Sequence, residues 1–375
     1  MRPVHLLNTL ERAGFSAYFV GGCVRDTLLG RPVNDWDMTT SATPEEIMAL
    51  FLKTVPTGLK HGTVTVLDGS EHYEVTTFRC DGAYADSRHP RSVRFVRELG
   101  EDLSRRDFTV NAMAMDARGE ITDLFGGRED LARGLLRCVG DPDTRFREDA
   151  LRMLRALRFS AQLGFRVDDA AVEAMGRCAH LCARLSAERV RDEVEKTILS
   201  PAPETVHRMA KLGLLEAFGF AAGPSVTEPA PASRDACTMW AWLLRQYPGV
   251  TWQGLRLDKK TGQISSRAAQ LARCRDRLGW KQVLAEFGLP TARCAAALAG
   301  QGSAVEEILR SGECVSLRDL AVGGGDFPGA SGREVGAILD RLLAHVLAHP
   351  EDNTRDKLLQ LAEESAQPGR KCPMK

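Results

Sequence analysis

The rhythm of apolar and polar positions changes partway along the chain, and that change divides it. Ala17-Tyr18-Phe19-Val20 is a continuous apolar run of strand length, and residues 4–13 before it carry the spacing of a short amphipathic helix. Val24-Arg25-Asp26-Thr27-Leu28-Leu29 returns to helical spacing. A further helix is expected from Thr43 to Phe51. Thr43 suits an N-cap, Pro44 suits the first helical position, and Glu45 and Glu46 sit at the positive end of the helix dipole. Two β-rich runs at 62–67 and 73–78, separated by Asp68-Gly69-Ser70, predict a hairpin. Residues 81–97 are rich in turn formers and lack a core pattern, which predicts a loop whose first part is mobile.

From Asp141 onward strand signals all but vanish. Residues Glu148 to Phe159 read as one helix with Leu151, Leu154 and Leu157 inward and Gly164 as its stop. Helical stretches follow near 168–182, 186–199, 202–218, 236–247, 264–287, 301–311 and 331–348, with a Pro/Ala-rich loop over 221–232. The expected fold class is α+β: a small mixed β-sheet head followed by an all-helical remainder, rather than a doubly wound parallel sheet.

Composition narrows the possibilities. A length of 375 residues allows two or three ordinary domains. Fifty basic residues against fifty acidic ones exclude a uniformly basic nucleic-acid-binding surface, while a local basic face remains open. The ten cysteines include no Cys-X-X-Cys pair and no cluster of zinc spacing, which fits a reducing cytoplasm; Cys178 and Cys182 are expected only to share a helix face. No long apolar leader and no stretch of transmembrane length appear, so the expectation is a soluble cytoplasmic protein without a membrane partner.

The chemistry concentrates between Gly21 and Asp37. Two glycines after the apolar strand let the backbone approach a ligand, and the helix they open offers free N–H groups to a phosphate. Asp35 and Asp37 lie one residue apart, so on an extended strand both carboxylates face one point. Two carboxylates beside a phosphate site are what Mg²⁺-dependent phosphoryl transfer requires. Much later, Asp149, Arg152, Arg155 and Arg158 recur at intervals of three, which by spacing alone predicts an ion pair and a solvated arginine face.

Gly21-Gly22, Arg25-Asp26, Leu28-Leu29-Gly30-Arg31 and Asp35-Trp36-Asp37, continuing through Met38 to Pro44, resemble the opening motif of nucleotidyltransferases of the poly(A) polymerase and CCA-adding type. Arg105-Arg106-Asp107-Phe108-Thr109-Val110-Asn111-Ala112 resembles a second motif of that family. The 81–97 loop resembles the flexible loop that CCA-adding and A-adding members carry and CC-adding members lack. The stretch from Val139 to Phe159 resembles the nucleobase-reading motif, and Ser186 to Lys196 the following neck helix. Segments 314–320 and 342–347 resemble the tail of the shorter bacterial CCA-adding enzymes, from which Gly323-Gly324-Gly325-Asp326 departs locally. No His-Asp phosphohydrolase motif appears.

That resemblance implies a polymerase-β-like catalytic head over 1–137, a helical neck over 138–200 for nucleobase recognition, a helical body over 201–300 and a helical, tRNA-binding tail over 301–375. It implies addition of C, C and A to the 3′ end of tRNA from CTP and ATP without a nucleic-acid template, with release of pyrophosphate. Asp35 and Asp37 would hold Mg²⁺, and Gly22, Arg25 and Arg106 would bind the triphosphate. Asp149 and Arg152 would read the base, with Arg155 and Arg158 nearer the phosphates and Glu148 orienting Arg152. An Asp carboxylate only accepts hydrogen bonds and an Arg guanidinium only donates them. Cytosine and adenine, each with an amine beside a ring acceptor, fit that template. Uracil and guanine would set a carbonyl against the carboxylate, at a cost of roughly 1–3 kcal/mol. An A-adding tRNA enzyme, a poly(A) polymerase and a catalytically silent RNA-binding protein are the rival readings.

Overall fold

The computed structural model describes residues 2–82, 93–273 and 276–366; most of the expected 81–97 loop therefore lies outside the described residues. The chain separates into two compact units, Met1–Pro224 and Ser225–Lys375.

In the first unit, α1 (Val4–Arg12) buries Leu6, Leu7 and Leu10, and β1 (Ala17–Val20) is almost wholly buried. Then come α2 (Gly22–Leu28), β2 (Met38–Thr40) and α3 (Pro44–Leu50). The α3 terminus forms as its sequence predicts: Thr43 Oγ1 accepts from the Glu46 N–H, and the Glu46 carboxylate accepts from the Thr43 N–H at 2.7 Å. The expected hairpin is β4 (Thr63–Asp68) and β5 (Glu71–Thr77), closed by Gly69, whose φ of 62° suits a two-residue turn. Ahead of it runs β3 (Thr54–Gly58), and after it come the ribbon of β6 (Arg79–Asp81) with β7 (Val93–Phe95), then α4 (Leu99–Ser104). β8 (Met113–Met115) and β9 (Ile121–Asp123) complete a seven-stranded mixed sheet of order β3-β4-β5-β2-β1-β8-β9. Only the β2/β5 pair is parallel. The expected α+β head is present.

Beyond α5 (Gly127–Arg133), a two-residue strand β10 (Leu135–Leu136) pairs in parallel with β11 (Arg166–Val167), a small sheet that the sequence did not announce. The helix expected from Glu148 is two helices, α6 (Pro142–Glu148) and α7 (Leu151–Leu163). Asp149 between them is extended, with φ −143° and ψ 106°. Its carboxylate accepts from the Leu151 N–H at 3.0 Å, a local bond that competes with helix continuation. Gly164 stops α7 at φ 73°, as expected. Then follow α8 (Asp169–Cys178), α9 (Ala187–Ile198) and α10 (Thr205–Lys211), which is shorter than the expected 202–218 because Gly213 turns the chain at φ 75°.

The described part of the second unit is helical: α11 (Ala236–Gln246), α12 (Lys259–Leu271), α13 (Arg277–Leu298), α14 (Gly302–Ser311), α15 (Gly332–Ala348) and α16 (Arg355–Ala366). The stretch 264–287 is therefore not one helix but the end of α12 and the start of α13. Asp258 and Asp276 cap those two helices. Gly288, at φ 76°, kinks α13 just before Pro290. Trp240, Trp242 and Trp280 are fully buried here.

Candidate active site

β1 ends at Gly21, whose φ of 76° few other residues adopt without strain, and whose added Cβ would stand 3.3 Å from Arg106 Nη1. The chain enters α2 and returns through an extended segment to β2. The Val20 N–H donates to the Asp37 carbonyl at 3.0 Å, so pairing with β1 begins just before the strand proper. Trp36 turns edge-on to Phe19, with ring centroids 4.9 Å apart. Asp35 and Asp37, on either side of it, both line one cavity, as their spacing predicts, although they precede β2 rather than lie within it.

That cavity measures 560 Å³. Gly22, Arg25, Asp35, Asp37, Arg106, Asp149, Arg152, Arg155 and Arg158 all line it. The nine residues singled out in the sequence come from three distant segments and meet in one place. Arg105, the neighbour of Arg106, lines it as well, as do Asp107, Asn111, Phe159 and Lys196, to which the sequence reading assigned no role.

Much of the lining is locked by ion pairs. Asp102, fully buried on α4, accepts from Arg105 at 2.7 Å and Arg106 at 3.0 Å. Burial pushes its pKa up, but the Arg106 and Arg105 guanidiniums outweigh burial and hold it below the usual carboxylate range. Asp107 accepts from Arg155 Nε at 2.8 Å and from the Asn111 amide. There too burial acts upward, and Arg155 brings the pKa down to about 2. Arg25 is clasped by Asp26 at 2.9 Å and by Asn111 at 2.7 Å. Arg158 donates to Glu193 at 2.6 Å and stands over the Phe159 ring, 3.8 Å from its centroid. Arg106 Nε, in contrast, is buried and has no hydrogen-bond partner. The residue nonetheless lines the cavity, and a guanidinium at a cavity wall is suited to an anionic oxygen.

Asp149 is held by a residue from another helix. Arg189 on α9 grips its carboxylate at 2.8 and 3.3 Å. Arg152 donates to Glu148, as the sequence reading expected, and to the Arg105 carbonyl at 3.0 Å. Arg189 lay inside a recognised motif, yet nothing in its spacing pointed across to Asp149.

Asp35 and Asp37 face a different environment. Burial, then Glu74, then Asp35 push the Asp37 pKa up against the opposing pull of Arg106. Val75 on β5 is the register partner of Met38, which puts Glu74 beside Asp37 across the parallel pair. Asp35 and Asp37, lining one cavity, offer the carboxylate oxygens that a hard divalent cation takes, so the residues present fit one. Among the described residues, a tighter cluster of potential ligand atoms, all within 4.8 Å, is Asp235, Cys237 and Cys294. There Asp235 caps α11 and burial pushes the Cys294 thiol up to about 12, the marks of packed thiols.

Known proteins resemble this chain in sequence and in fold. The Poly A polymerase head domain family matches residues 17–137, and the family described as the probable RNA and SrmB-binding site of polymerase A matches 164–220. The CCA-adding enzyme of Lactiplantibacillus plantarum is 38% identical over 388 residues, covering 95% of this chain and 94% of that enzyme. That of Geobacillus thermodenitrificans is 50% identical over 240 residues, 64% of this chain and 58% of the other. Among solved structures, the Bacillus stearothermophilus CCA-adding enzyme in complex with CTP superposes with a TM-score of 0.82 at 36% identity, covering 98% of each chain.

Proposed function

The chain belongs to the CCA-adding enzymes, and from that premise we propose that the 560 Å³ cavity is where CTP and ATP are joined in turn to the 3′ end of tRNA, with release of pyrophosphate. The observation that carries this reading is convergence: the residues assigned to the metal, the triphosphate and the base, over a hundred positions apart, line one cavity.

In this mechanism Asp35 and Asp37 hold a divalent cation, Mg²⁺. A divalent cation held there would supply charge neutralisation at the α-phosphate and would favour ionisation of the terminal 3′-hydroxyl. Arg106 and Arg25, beside Gly22, bind the triphosphate. The Asp102 clasp fixes the position of the Arg106 guanidinium. Asp149 accepts from the base amine while Arg152 donates to the ring acceptor, the first steadied by Arg189 and the second by Glu148. Arg155 and Arg158 line the phosphate side. The helical remainder binds tRNA through shape and backbone. No helix among the described residues is long and apolar enough to cross a membrane, and a tRNA-processing role fits the cytoplasm.

The test offers tRNA ending before CCA, and tRNA ending in CC, with CTP alone, ATP alone or both. Stepwise addition of C, C and A to the first substrate is expected. Extension of the CC end only would identify an A-adding enzyme, an unbounded run with ATP a poly(A) polymerase, and no extension a silent RNA-binding protein.

A further inference from the structure

The second unit contains a groove that takes no part in the site above. Two adjoining cavities, of 650 and 400 Å³, share Trp252, Ser266 and Gln270 as walls. Position 262 on α12 is glycine for a local reason. A Cβ there would fall 2.4 Å from Trp252 Cε3, 2.5 Å from Cδ2 and 2.8 Å from Cγ, so the indole lies face-on against the helix backbone. The half-buried Trp252 lines both cavities. Gly262, Ser265 and Ala268 form the inward face of α12, while Gln263, Ser266, Arg267 and Gln270 recur at helical spacing along the groove.

Charge narrows the occupant. The two cavities are lined by Arg245, Arg267 and Arg273 and by no carboxylate, in a chain whose charges balance. Arg245 is tied to Glu228 at 2.8 Å. Arg267 stands 4.7 Å over the Phe287 ring and reaches Gln270 at 3.4 Å, which orients it toward the groove. A free nucleoside triphosphate travels with a divalent cation and calls for acidic ligands, which these walls lack. A nucleotide within an RNA strand needs only a flat apolar face, cations for single phosphates and amides for the base edge.

We infer that this groove holds an unpaired nucleotide of the RNA substrate, its base stacked on Trp252 and its flanking phosphates against Arg267 and Arg273. The larger cavity is of a size that small ligands commonly occupy. The inference deepens the reading of the chain as a tRNA-using enzyme and rests on it.

Steady-state kinetics on the full chain test it. Trp252→Leu should raise KM for tRNA about tenfold, the scale of one lost base stack. The kcat and the KM for CTP should stay unchanged, and Trp252→Phe should restore most of the loss. Should Trp252→Leu fail to fold, Arg267→Gln with Arg273→Gln carries the test, because both arginines are exposed. That double variant should raise KM for tRNA and flatten its salt dependence by about two phosphate contacts. A second measurement is independent of tRNA extension. In a Trp36→Phe background the other tryptophans are buried, and a short single-stranded oligoribonucleotide should quench Trp252 fluorescence. An unaltered KM for tRNA in folded variants would overturn the inference, as would quenching by free AMP equal to that by the oligonucleotide. Quenching without any tRNA extension would overturn the proposed function and leave the groove standing as an RNA site.

Discussion

Two sets of aspartates shape the same cavity and are treated in opposite ways. Asp102 and Asp107 are saturated: arginines surround them and hold their pKa values down, to about 2 for Asp107. Asp35 and Asp37 are left to repel one another, with Glu74 adding to the repulsion, and the pKa of Asp37 rises. A carboxylate whose charge is already met by protein builds the wall. One whose charge is unmet is available to a cation. Position in the cavity does not separate the two sets; their partners do.

Removing one of each should separate them most sharply. Asp35→Ala is expected to lower nucleotide addition by about 10³-fold or more for CTP and ATP alike, while melting behaviour changes by less than about 0.5 kcal/mol. Retained activity at saturating Mg²⁺ would remove Asp35 from the metal site. Asp107→Asn should do the reverse in stability, costing about 3 kcal/mol in denaturant melts because the Arg155 guanidinium loses its carboxylate. An unaltered midpoint would mean that the wall does not depend on that pair.

Next in size, Asp149→Ala should erode selection of C and A over U and G by about ten- to a hundredfold, measured by competition between nucleotides. Intact selectivity would defeat the hydrogen-bonding template.

Acid titration should split the two sets in sign. Asp107 has a folded pKa below its unfolded one, so its contribution is fully present above about pH 4 and disappears as pH falls toward 2. Asp37 has a folded pKa above its unfolded one. Its contribution favours the fold at low pH and is lost as pH rises through the folded value. Glu74→Gln gives the smallest effect expected here. With one repelling charge gone, the acid limb of the activity profile should move to lower pH and activity should persist. Complete inactivation would instead make Glu74 a metal ligand.

Some of this was readable from residues in a row. The Thr43 cap, the β4/β5 hairpin and the inward leucines of α7 follow from local spacing and turn chemistry. β8 and β9 span three residues each, too few for alternation to show. The break at Asp149 was hidden because its neighbours keep helical composition on both sides; only a side-chain bond to the Leu151 N–H reveals it. Nine of the residues that line the cavity were legible through motifs. Their partners were not: Arg189 reaches Asp149 across forty positions. Tertiary contacts of that kind leave no periodic trace.

The solitary Nε of Arg106 bears on how long the enzyme survives. A buried donor without an acceptor penalises the fold by about 1–3 kcal/mol, and an anion bound by the cavity-lining guanidinium would offset that penalty. Stability then follows ligand supply by mass action. In a well-fed cell, nucleotide would act as a chaperone of the enzyme it feeds; in a starved one, the same protein would open more often and be cleared by proteolysis sooner.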